Sequence, residues 1–387
     1  MAKNVVLGID VGSATTQSVI AGWDKKESGL RVLGYGLAPS AGVRRGKVLN
    51  IEDASKAIRA SVGMAERKAS VRMRSAFLAV GGVGLEALRS KGIAAVSRAS
   101  GEISEHDVKR VMEACQSNLE PFSNREILHS FPLIFTVDGQ FQTTNPVGMS
   151  GLKLECEAVF ICAVAKDVRN LIRAAEMAGL VVEDVVASPL AASRAVMPAR
   201  HKEVGSLLID VGASTSTLSV FEEGLPISLE VLAFGSSSIT NDLAIGFKTT
   251  IEEAEQIKKS FSPPQGSSKK HLADIVSARL SDIFELTNKH LKKINREKLL
   301  PAGAVLTGGG ARLADLPDFA KDYLELPVQL GFSDEARMPD GLDPNPWSVA
   351  AGLCLLAYDS DEGRNESFKP VIQTINPVLR WFKSLLP

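Results

Sequence analysis

The sequence predicts an α/β protein of two lobes with a cleft between them. Three observations favour this fold class: the length, a short turn that occurs once in each half, and a late strand that runs into three glycines. At 387 residues the chain exceeds the usual size of a single hydrophobic core. We therefore expect two or more lobes with a cleft between them.

The composition is that of a packed globular protein, with 45% apolar and 23% charged residues. The 44 basic and 45 acidic residues nearly cancel, so we expect no nucleic-acid partner. The four cysteines lack metal-ligand spacing and are interpreted as reduced core thiols of a cytosolic protein. No apolar run approaches the ~20 residues that span a bilayer. The first apolar run, from Val5, is interrupted by Asp10, which favours a buried strand over a signal peptide.

The duplicated turn covers residues 7–16, LGIDVGSATT, and residues 208–216, LIDVGASTS. Each copy has an apolar β-branched run, then Asp-Val-Gly, then small hydroxyl residues and a second run, which predicts strand, tight turn, strand. Glycine permits close backbone approach, and consecutive N–H groups with hydroxyls can surround an anion. The predicted phosphate-binding residues are Gly12, Ser13, Ala14, Thr15 and Thr16 in the first turn and Gly212, Ala213, Ser214 and Thr215 in the second.

An aspartate ends the first strand of each copy, and a carboxylate does not bind phosphate directly. Its useful role is to hold a hydrated Mg²⁺ that neutralises the phosphate charge, which makes Asp10 and Asp210 the predicted metal residues. A single Asp-Val-Gly is about as often an ordinary hairpin turn, because short motifs match often by chance. Two copies, one at the start of each half, favour the phosphate site.

The third element is residues 304–313, AVLTGGGARL, a short strand followed by three glycines and an apolar helical period. Backbone without side chains can lie flat against a nucleoside, so Gly308, Gly309 and Gly310, with Arg312 beside them, are predicted to bind adenosine. The alternative is a flexible loop, but the strand before it and the period after it favour a shaped site.

Taken together, the two turns and the glycine segment resemble those of the actin, heat-shock chaperone and sugar-kinase superfamily. The resemblance implies a duplicated, ribonuclease H-like fold of two lobes. It also implies that the turns clamp the phosphates of ATP with Mg²⁺ and that the late glycines lie under the adenosine.

Within that superfamily, four segments resemble the FtsA family of bacterial cell division proteins. They are NPVGMSG at 145–151, HSFP at 129–132, AFGSSSITNDLA at 233–244 and AEQIK at 254–258. In the family the last two segments lie beside the nucleotide. The resemblance therefore adds Gly235, Glu255 and Lys258 to the predicted adenosine site.

The FtsA resemblance also implies an inserted subdomain, 1C, in the first lobe. Residues 72–163 fit it, with a strand-like run at 75–80, a helix at 104–118 capped by Ser104, and alternating runs at 126–137 and 153–163. In the family, 1C makes head-to-tail contacts between monomers and contacts to downstream division proteins. The rest of the chain is divided as follows. Lobe 1 (1A), with the interlobe connection, comprises 1–71 and 164–200, and lobe 2 (2A) comprises 201–242 and 301–357. Residues 243–300 are predicted to form 2B, 358–375 a linker and 376–387 an amphipathic helix.

Subdomain 2B of the family receives the C-terminal peptide of FtsZ. The helix predicted at 271–296 carries cations that could receive an acidic peptide, among them Arg279, Lys289, Lys292 and Lys293. A solvated helix face is the simpler interpretation for most of them.

The tail is polar from residue 358 to 367 and then apolar again. Asn376 can cap a helix that has Pro377 at its first position. We hypothesise reversible binding to an anionic membrane, as the FtsA resemblance implies, with docking on the body as the alternative. The predicted membrane-binding residues are Val378, Leu379, Arg380, Trp381, Phe382, Lys383, Leu385 and Leu386.

Two departures from the family pattern concern catalysis. The second turn has Ala213 and Ser214 where many relatives have glycine, and Ser188 stands where related filaments have a water-positioning acid. A serine without a neighbouring base activates water poorly, so we expect slow or negligible ATP hydrolysis.

The predicted function is an ATP-binding protein that polymerises on the inner face of the cell membrane at the division site, as a peripheral protein, and tethers FtsZ. A PilM-like pilus protein is the alternative, although PilM generally lacks the segment at 145–151 and the terminal helix. A sugar or acyl kinase is a further alternative, but it would need a catalytic Asp after the second turn, and none is evident.

Overall fold

The computed structural model describes residues 5–24, 29–119, 124–332, 335–339 and 342–362. In chain order the strands are β1 Val5–Val11, β2 Thr15–Asp24, β3 Gly29–Pro39, β4 Val43–Arg44, β5 Lys47–Val48, β6 Ser75–Val80, β7 Glu86–Ala95, β8 Arg125–Val137, β9 Phe141–Thr143, β10 Lys153–Val164, β11 Val181–Ala187, β12 Ser206–Val211, β13 Ser216–Glu222, β14 Leu225–Leu232, β15 Ala304–Thr307, β16 Val328–Leu330 and β17 Ala336–Arg337. The helices are α1 Ile51–Ala69, α2 Glu105–Ser117, α3 Ala165–Met177, α4 Ser188–Val196, α5 Ala199–Val204, α6 Ser236–Phe247, α7 Ile251–Ser260, α8 Lys269–Lys293, α9 Leu316–Leu324 and α10 Ser348–Glu362, with 3-10 turns at Gly309–Arg312 and Asn345–Trp347.

The first lobe is built on a six-stranded sheet of order β11-β6-β1-β2-β3-β17. Strand β1 pairs antiparallel with β2 and parallel with β6, so it is central and buried. Helices α1 and α3 cover one face of the sheet, and α4 and α10 cover the other. The packing on α10 is close: a methyl group at Gly8 would lie 2.3 Å from the carbonyl oxygen of Ala350.

The second lobe repeats this plan on a five-stranded sheet of order β14-β13-β12-β15-β16. In both lobes the aspartate near the end of the first strand lies opposite the residue seven positions later, Asp10 opposite Gln17 and Asp210 opposite Thr217. The identical register confirms the predicted strand-turn-strand duplication.

The inserted unit has its own four-stranded sheet, of order β7-β10-β8-β9, with α2 packed on it. As predicted, Ser104 is the N-cap of the helix, and its backbone N–H donates to Asp107 Oδ2 at 3.0 Å. The two alternating runs are β8 and β10, paired antiparallel. One helix on a small sheet is therefore confirmed.

The predicted start of this unit at residue 72 is corrected by the sheet topology. Strand β6, the predicted run at 75–80, pairs in parallel with β1 and β11 and so belongs to the sheet of the first lobe. A strand buried on both faces is an unbroken apolar run, which does not tell which sheet it joins. The separate sheet begins only with β7.

The predicted end of the second lobe at residue 357 and the linker from residue 358 are also corrected. Helix α10 packs on β1 and α4, in the core of the first lobe. It continues through Tyr358, whose ring stacks on Trp23 with centroids 4.0 Å apart, and Asp359, which pairs with Arg194.

The predicted tail helix, residues 376–387, lies outside the described residues. Among the helices that the structure describes, none has the length and apolar character to cross a membrane.

Candidate functional site

A cleft of about 790 Å³ opens between the lobes. Both copies of the duplicated turn, in residues 7–16 and 208–216, line it; they are called the phosphate turns after their predicted role. This volume lies within the range of ligand pockets and is large enough for a nucleotide. The predicted site residues that line it are Asp10, Gly12, Ser13, Ala14, Thr15, Asp210, Gly212, Ala213, Thr215, Glu255, Lys258, Gly308, Gly309, Gly310 and Arg312.

The two turns have the same closure. The Gly12 N–H donates to Thr15 O at 3.1 Å, and the Gly212 N–H donates to Thr215 O at 2.9 Å. In each turn a methyl group on the glycine would lie 2.9 Å from that carbonyl oxygen. Each turn therefore needs its glycine for close backbone approach, and the next residues face the cleft.

Three predicted residues are not among those lining the cavity. Thr16 is fully buried, and its hydroxyl shares a 2.8 Å hydrogen bond with that of Ser40. Gly235 supports the second turn from behind, since a methyl group there would lie 2.6 Å from Ala213 O. The hydroxyl of Ser214 is buried and has no hydrogen-bond partner among the described residues. The positions of Thr16 and Gly235 therefore do not support the contacts predicted for them with phosphate and adenosine, respectively, and the Ser214 hydroxyl does not line the cleft.

The two aspartates, Asp10 and Asp210, interact electrostatically in the cleft. Burial, with a smaller contribution from the charge of Asp210, raises the pKa of Asp10 to about 7. Burial raises the pKa of Asp210 to about 6. Two carboxylates that resist ionisation together favour a cation between them.

The donor set fits Mg²⁺ bound largely through water. Magnesium takes carboxylate oxygens but keeps several waters and binds nucleotide phosphates. Among the described residues, no group of three or more His, Cys, Asp or Glu side chains could hold a metal ion by itself. Asp10 and Asp210 would therefore supply the protein side of a site that the phosphates complete.

The second-lobe wall of the cleft is held together by Lys258 of α7. Its Nζ lies 2.7 Å from Glu255 Oε2, and it also donates to Thr240 Oγ1 at 2.8 Å and to Ser236 O at 3.2 Å. Burial opposes the ionisation of Glu255, but hydrogen bonds from Lys258 and Thr240 outweigh it and lower its pKa. Lys258 thus links α7 to α6, and these two helices together form this wall of the cleft.

The cleft has residues that the sequence analysis missed. Gln17 and Thr217 line it one strand away from the aspartates, and their equal spacing in the two copies was a usable signal. Pro346, Ser348 and Val349 line it from the start of α10. That contribution was hidden because α10 was assigned to the second lobe. The Ser348 hydroxyl is buried without a hydrogen-bond partner among the described residues.

Some predicted peptide-binding cations of α8 are already paired. Arg279 donates to Asp242 at 2.7 and 3.1 Å and to Asp282 at 3.0 Å, and Lys292 pairs with Glu297 at 3.2 Å. Arg279 thus links α8 to α6, whereas the Lys292 side chain is largely exposed, as the solvated-face interpretation expected.

A duplicated strand-turn-strand fold with this cleft defines the class: the chain has the actin-like ATPase fold, a nucleotide-binding fold. The fold resembles a PilM-PilN type IV pilus biogenesis complex (17% identity, TM-score 0.67, covering 91% of this chain and 98% of that one). It also resembles MreB5 of Spiroplasma citri bound to AMPPNP (12% identity, TM-score 0.54, covering 95% of this chain and 100% of that one). At these identities the likeness shows the fold alone, so it does not favour a PilM-like function.

The sequence comparisons identify the family within that class. The profile "Cell division protein FtsA" matches residues 207–352, and "SHS2 domain inserted in FTSA" matches residues 82–162. The FtsA protein of Borreliella burgdorferi is 31% identical over 386 residues, which cover 94% of this chain and 93% of the relative. That of Bacillus subtilis is 31% identical over 349 residues, covering 85% and 78%, respectively. The chain belongs to the FtsA family of cell division proteins.

Proposed function

We propose that this cell division protein binds ATP with Mg²⁺ in the interlobe cleft and polymerises on the inner face of the cell membrane. There it would tether FtsZ filaments and recruit later division proteins. The observation that carries the proposal is the pair of identically closed turns facing one cleft, each with an aspartate at its base, in a chain of the FtsA family.

Different residues of the cleft would bind the phosphates, the metal ion and the adenosine. The backbone N–H groups that follow Gly12 and Gly212 in the two turns would hold the phosphates, and Asp10 and Asp210 would hold hydrated Mg²⁺, which neutralises the phosphate charge. The adenosine would lie between the glycine segment at 308–310 and the wall formed by Glu255 and Lys258.

ATP turnover is proposed to be slow. Ser188 lines the cleft at the start of α4, so the interlobe connection presents a hydroxyl there instead of a carboxylate. A hydroxyl at neutral pH is a poor general base. We expect Ser188→Ala to leave the rate of phosphate release from ATP nearly unchanged. A large drop in that rate would show that Ser188 takes part in hydrolysis.

The partner surfaces are assigned by element. The inserted sheet would make head-to-tail contacts with a second copy and contact downstream division proteins. The 2B region, about α7 and α8, would receive the C-terminal peptide of FtsZ. The tail from Asn376 to Pro387 would bind the anionic membrane surface, which would make the protein peripheral at the division site.

Electron microscopy on lipid monolayers tests the whole proposal. Full-length protein is applied to monolayers containing anionic lipid, with Mg-ATP, without nucleotide, and with ATP plus EDTA. We expect membrane-bound filaments with Mg-ATP and few or none in the other two samples. Dispersed protein under all three conditions, with protein shown to be folded, would contradict polymerisation on the membrane.

A further inference from the structure

The inserted unit is rooted directly in the wall of the nucleotide cleft. Gly81 and Gly82, which follow β6 and lead into the inserted sheet, both line the cleft. Gly82 has φ of +86°, and a methyl group on it would lie 2.7 Å from Gly46 Cα. The Gly46 N–H in turn donates to Ser13 Oγ of the first phosphate turn at 2.8 Å. The first phosphate turn and the base of the insert are therefore linked through Gly46.

A buried histidine makes a second link between the insert and the cleft. His129 of β8 is 3% exposed, and its Nε2 accepts a hydrogen bond from the Ala187 N–H at 3.0 Å. Ala187 immediately precedes Ser188, which lines the cleft. Burial lowers the pKa of His129 to about 4, so the ring is neutral at physiological pH and Nε2 stays an acceptor.

The cost of this histidine indicates a role beyond packing. Its Nδ1 is buried and has no hydrogen-bond partner among the described residues. An apolar side chain would fill the space without the unpaired Nδ1, but it would leave the buried Ala187 N–H without its acceptor. The hydrogen bond to Ala187 is what distinguishes histidine from such a side chain.

The same sheet also contacts the second lobe. Arg89 of β7 donates from Nη2 to the carbonyl oxygen of Ile227 in β14 at 3.2 Å. Leu133 of β8 packs against the hydrophobic core of the second lobe. The insert thus contacts the interlobe connection and the second lobe directly, and its base is linked to the first phosphate turn through Gly46.

We infer that His129 is a positioning residue of the nucleotide site, which fixes the Ala187–Ser188 wall and so couples nucleotide binding to the position of the inserted sheet against the second lobe. The inference rests on the proposed function, because it requires that the cleft binds a nucleotide. Its consequence is that occupancy of the cleft changes the surface that the insert offers to partners.

The test compares His129→Leu, which removes the acceptor, with His129→Gln, whose side-chain oxygen can replace it. His106→Leu, at an exposed position on α2, is the matched control. Binding of Mg-AMPPNP is measured by calorimetry, and the response of the insert by amide hydrogen exchange with and without that nucleotide. Thermal melts establish that each variant is folded.

We expect nucleotide to slow exchange in β7 and β8 of the wild-type protein and of the Gln and His106 variants. In His129→Leu this protection is lost and affinity falls about tenfold, within the usual range of coupling between sites. A folded Leu variant with wild-type affinity and protection would overturn the inference alone. Wild-type protein that binds no nucleotide would overturn the proposed function as well.

A second pair of variants avoids the buried position. Arg89 and Lys91 both pair with Glu157, at 3.2 and 3.3 Å, but only Arg89 has a hydrogen bond to Ile227. Arg89→Ala should reduce the nucleotide-dependent protection of β7, whereas Lys91→Ala should keep it. Equal protection in these two variants would contradict the coupling through the second lobe.

Discussion

At the scale of single residues, the cleft is defined by where its charges lie. The cations that line it, Lys258, Lys259 and Arg312, all belong to the second lobe, and none is on either phosphate turn. The turns offer backbone N–H groups and hydroxyls, while Asp10 and Asp210 add negative charge beneath them. A polyphosphate placed there would be repelled unless a metal ion screened it.

Nucleotide affinity should therefore depend strongly on Mg²⁺. We expect the dissociation constant for ATP to rise by at least about tenfold when EDTA replaces Mg²⁺, because the carboxylates then face unscreened phosphates. Titration of a fluorescent ATP analogue measures the change, and adding excess Mg²⁺ back is the control. An affinity that is the same in EDTA would refute the magnesium role of the two aspartates.

The raised pKa of Asp10 predicts a pH-dependent stability for the nucleotide-free protein. An acid whose folded pKa is raised contributes stability that is present below pH 3.8 and lost as the pH rises through about 7. Asp10→Asn stays neutral, so its melting temperature should exceed that of the wild type increasingly between pH 5 and 8. The stability difference between the variant and the wild type should grow by about 2–3 kcal/mol between pH 5 and pH 8.

Thermal unfolding at pH 5 and pH 8, without nucleotide or metal, measures this difference. Asp322→Asn, at an exposed position on α9, is the matched control and should follow the wild type at both values. An Asp10→Asn variant with the same offset at both pH values would show that Asp10 is not neutralised by burial.

Most of the cleft could be predicted from the sequence, and the exceptions have physical reasons. Asp10, Gly12 and their counterparts in the second half were found because the turn is repeated. Thr16 was misplaced because neighbouring residues of a strand face opposite sides, so Thr15 faces the cleft and Thr16 faces the core. A strict use of strand alternation would have excluded it.

At the scale of elements, the three glycines after β15 have different roles. Gly308 has φ of +86°, and a methyl group on it would lie 2.2 Å from Asp210 Oδ1. A methyl group on Gly310 would lie 2.4 Å from Val211 Cγ1, whereas one on Gly309 would meet nothing within 4 Å. Two of the glycines therefore allow the segment to pack on β12, and Gly309 stands free of the core.

Gly308→Ala should weaken nucleotide binding far more than Gly309→Ala. The methyl group at position 308 collides with the Asp210 carboxylate and needs a positive φ, which costs about 1 kcal/mol or more before any displacement. We expect at least a tenfold loss of Mg-ATP affinity for Gly308→Ala and less than threefold for Gly309→Ala, measured by calorimetry. If the two variants bound equally, close packing under the second turn would not matter for the site.

The misassigned elements show what a sequence pattern leaves open. Helix α10 is apolar on nearly all sides, which correctly indicates full burial. Its partners, however, are β1 and α4, which both come much earlier in the chain. Periodicity tells how much of an element is buried but does not name the partner, so α10 and β6 were both given to the wrong unit.

At the scale of the whole molecule, the end of α10 joins the first lobe to the tail. Arg194 of α4 donates to Asp359 at 2.7 and 3.2 Å and to Glu335 at 2.7 Å, and both partners of the Arg194–Asp359 pair are mostly buried. Tyr358 covers Trp23 beside them. Tyr358 and Asp359, the first polar residues after Ala357, are therefore part of the body.

Two truncations should separate the body from the tail. A chain ending at Glu362 keeps both contacts and should melt like the full-length protein, but it should no longer float with anionic liposomes. A chain ending at Ala357 lacks Tyr358 and Asp359 and leaves the largely buried Arg194 without that partner, so we expect it to lose about 3–5 kcal/mol of stability. Thermal unfolding and liposome flotation of the three chains measure both effects.

If the chain ending at Ala357 melted like the full-length protein, residues 358–362 would be a linker after all. Retained flotation of the chain ending at Glu362 would place the membrane contact on the body.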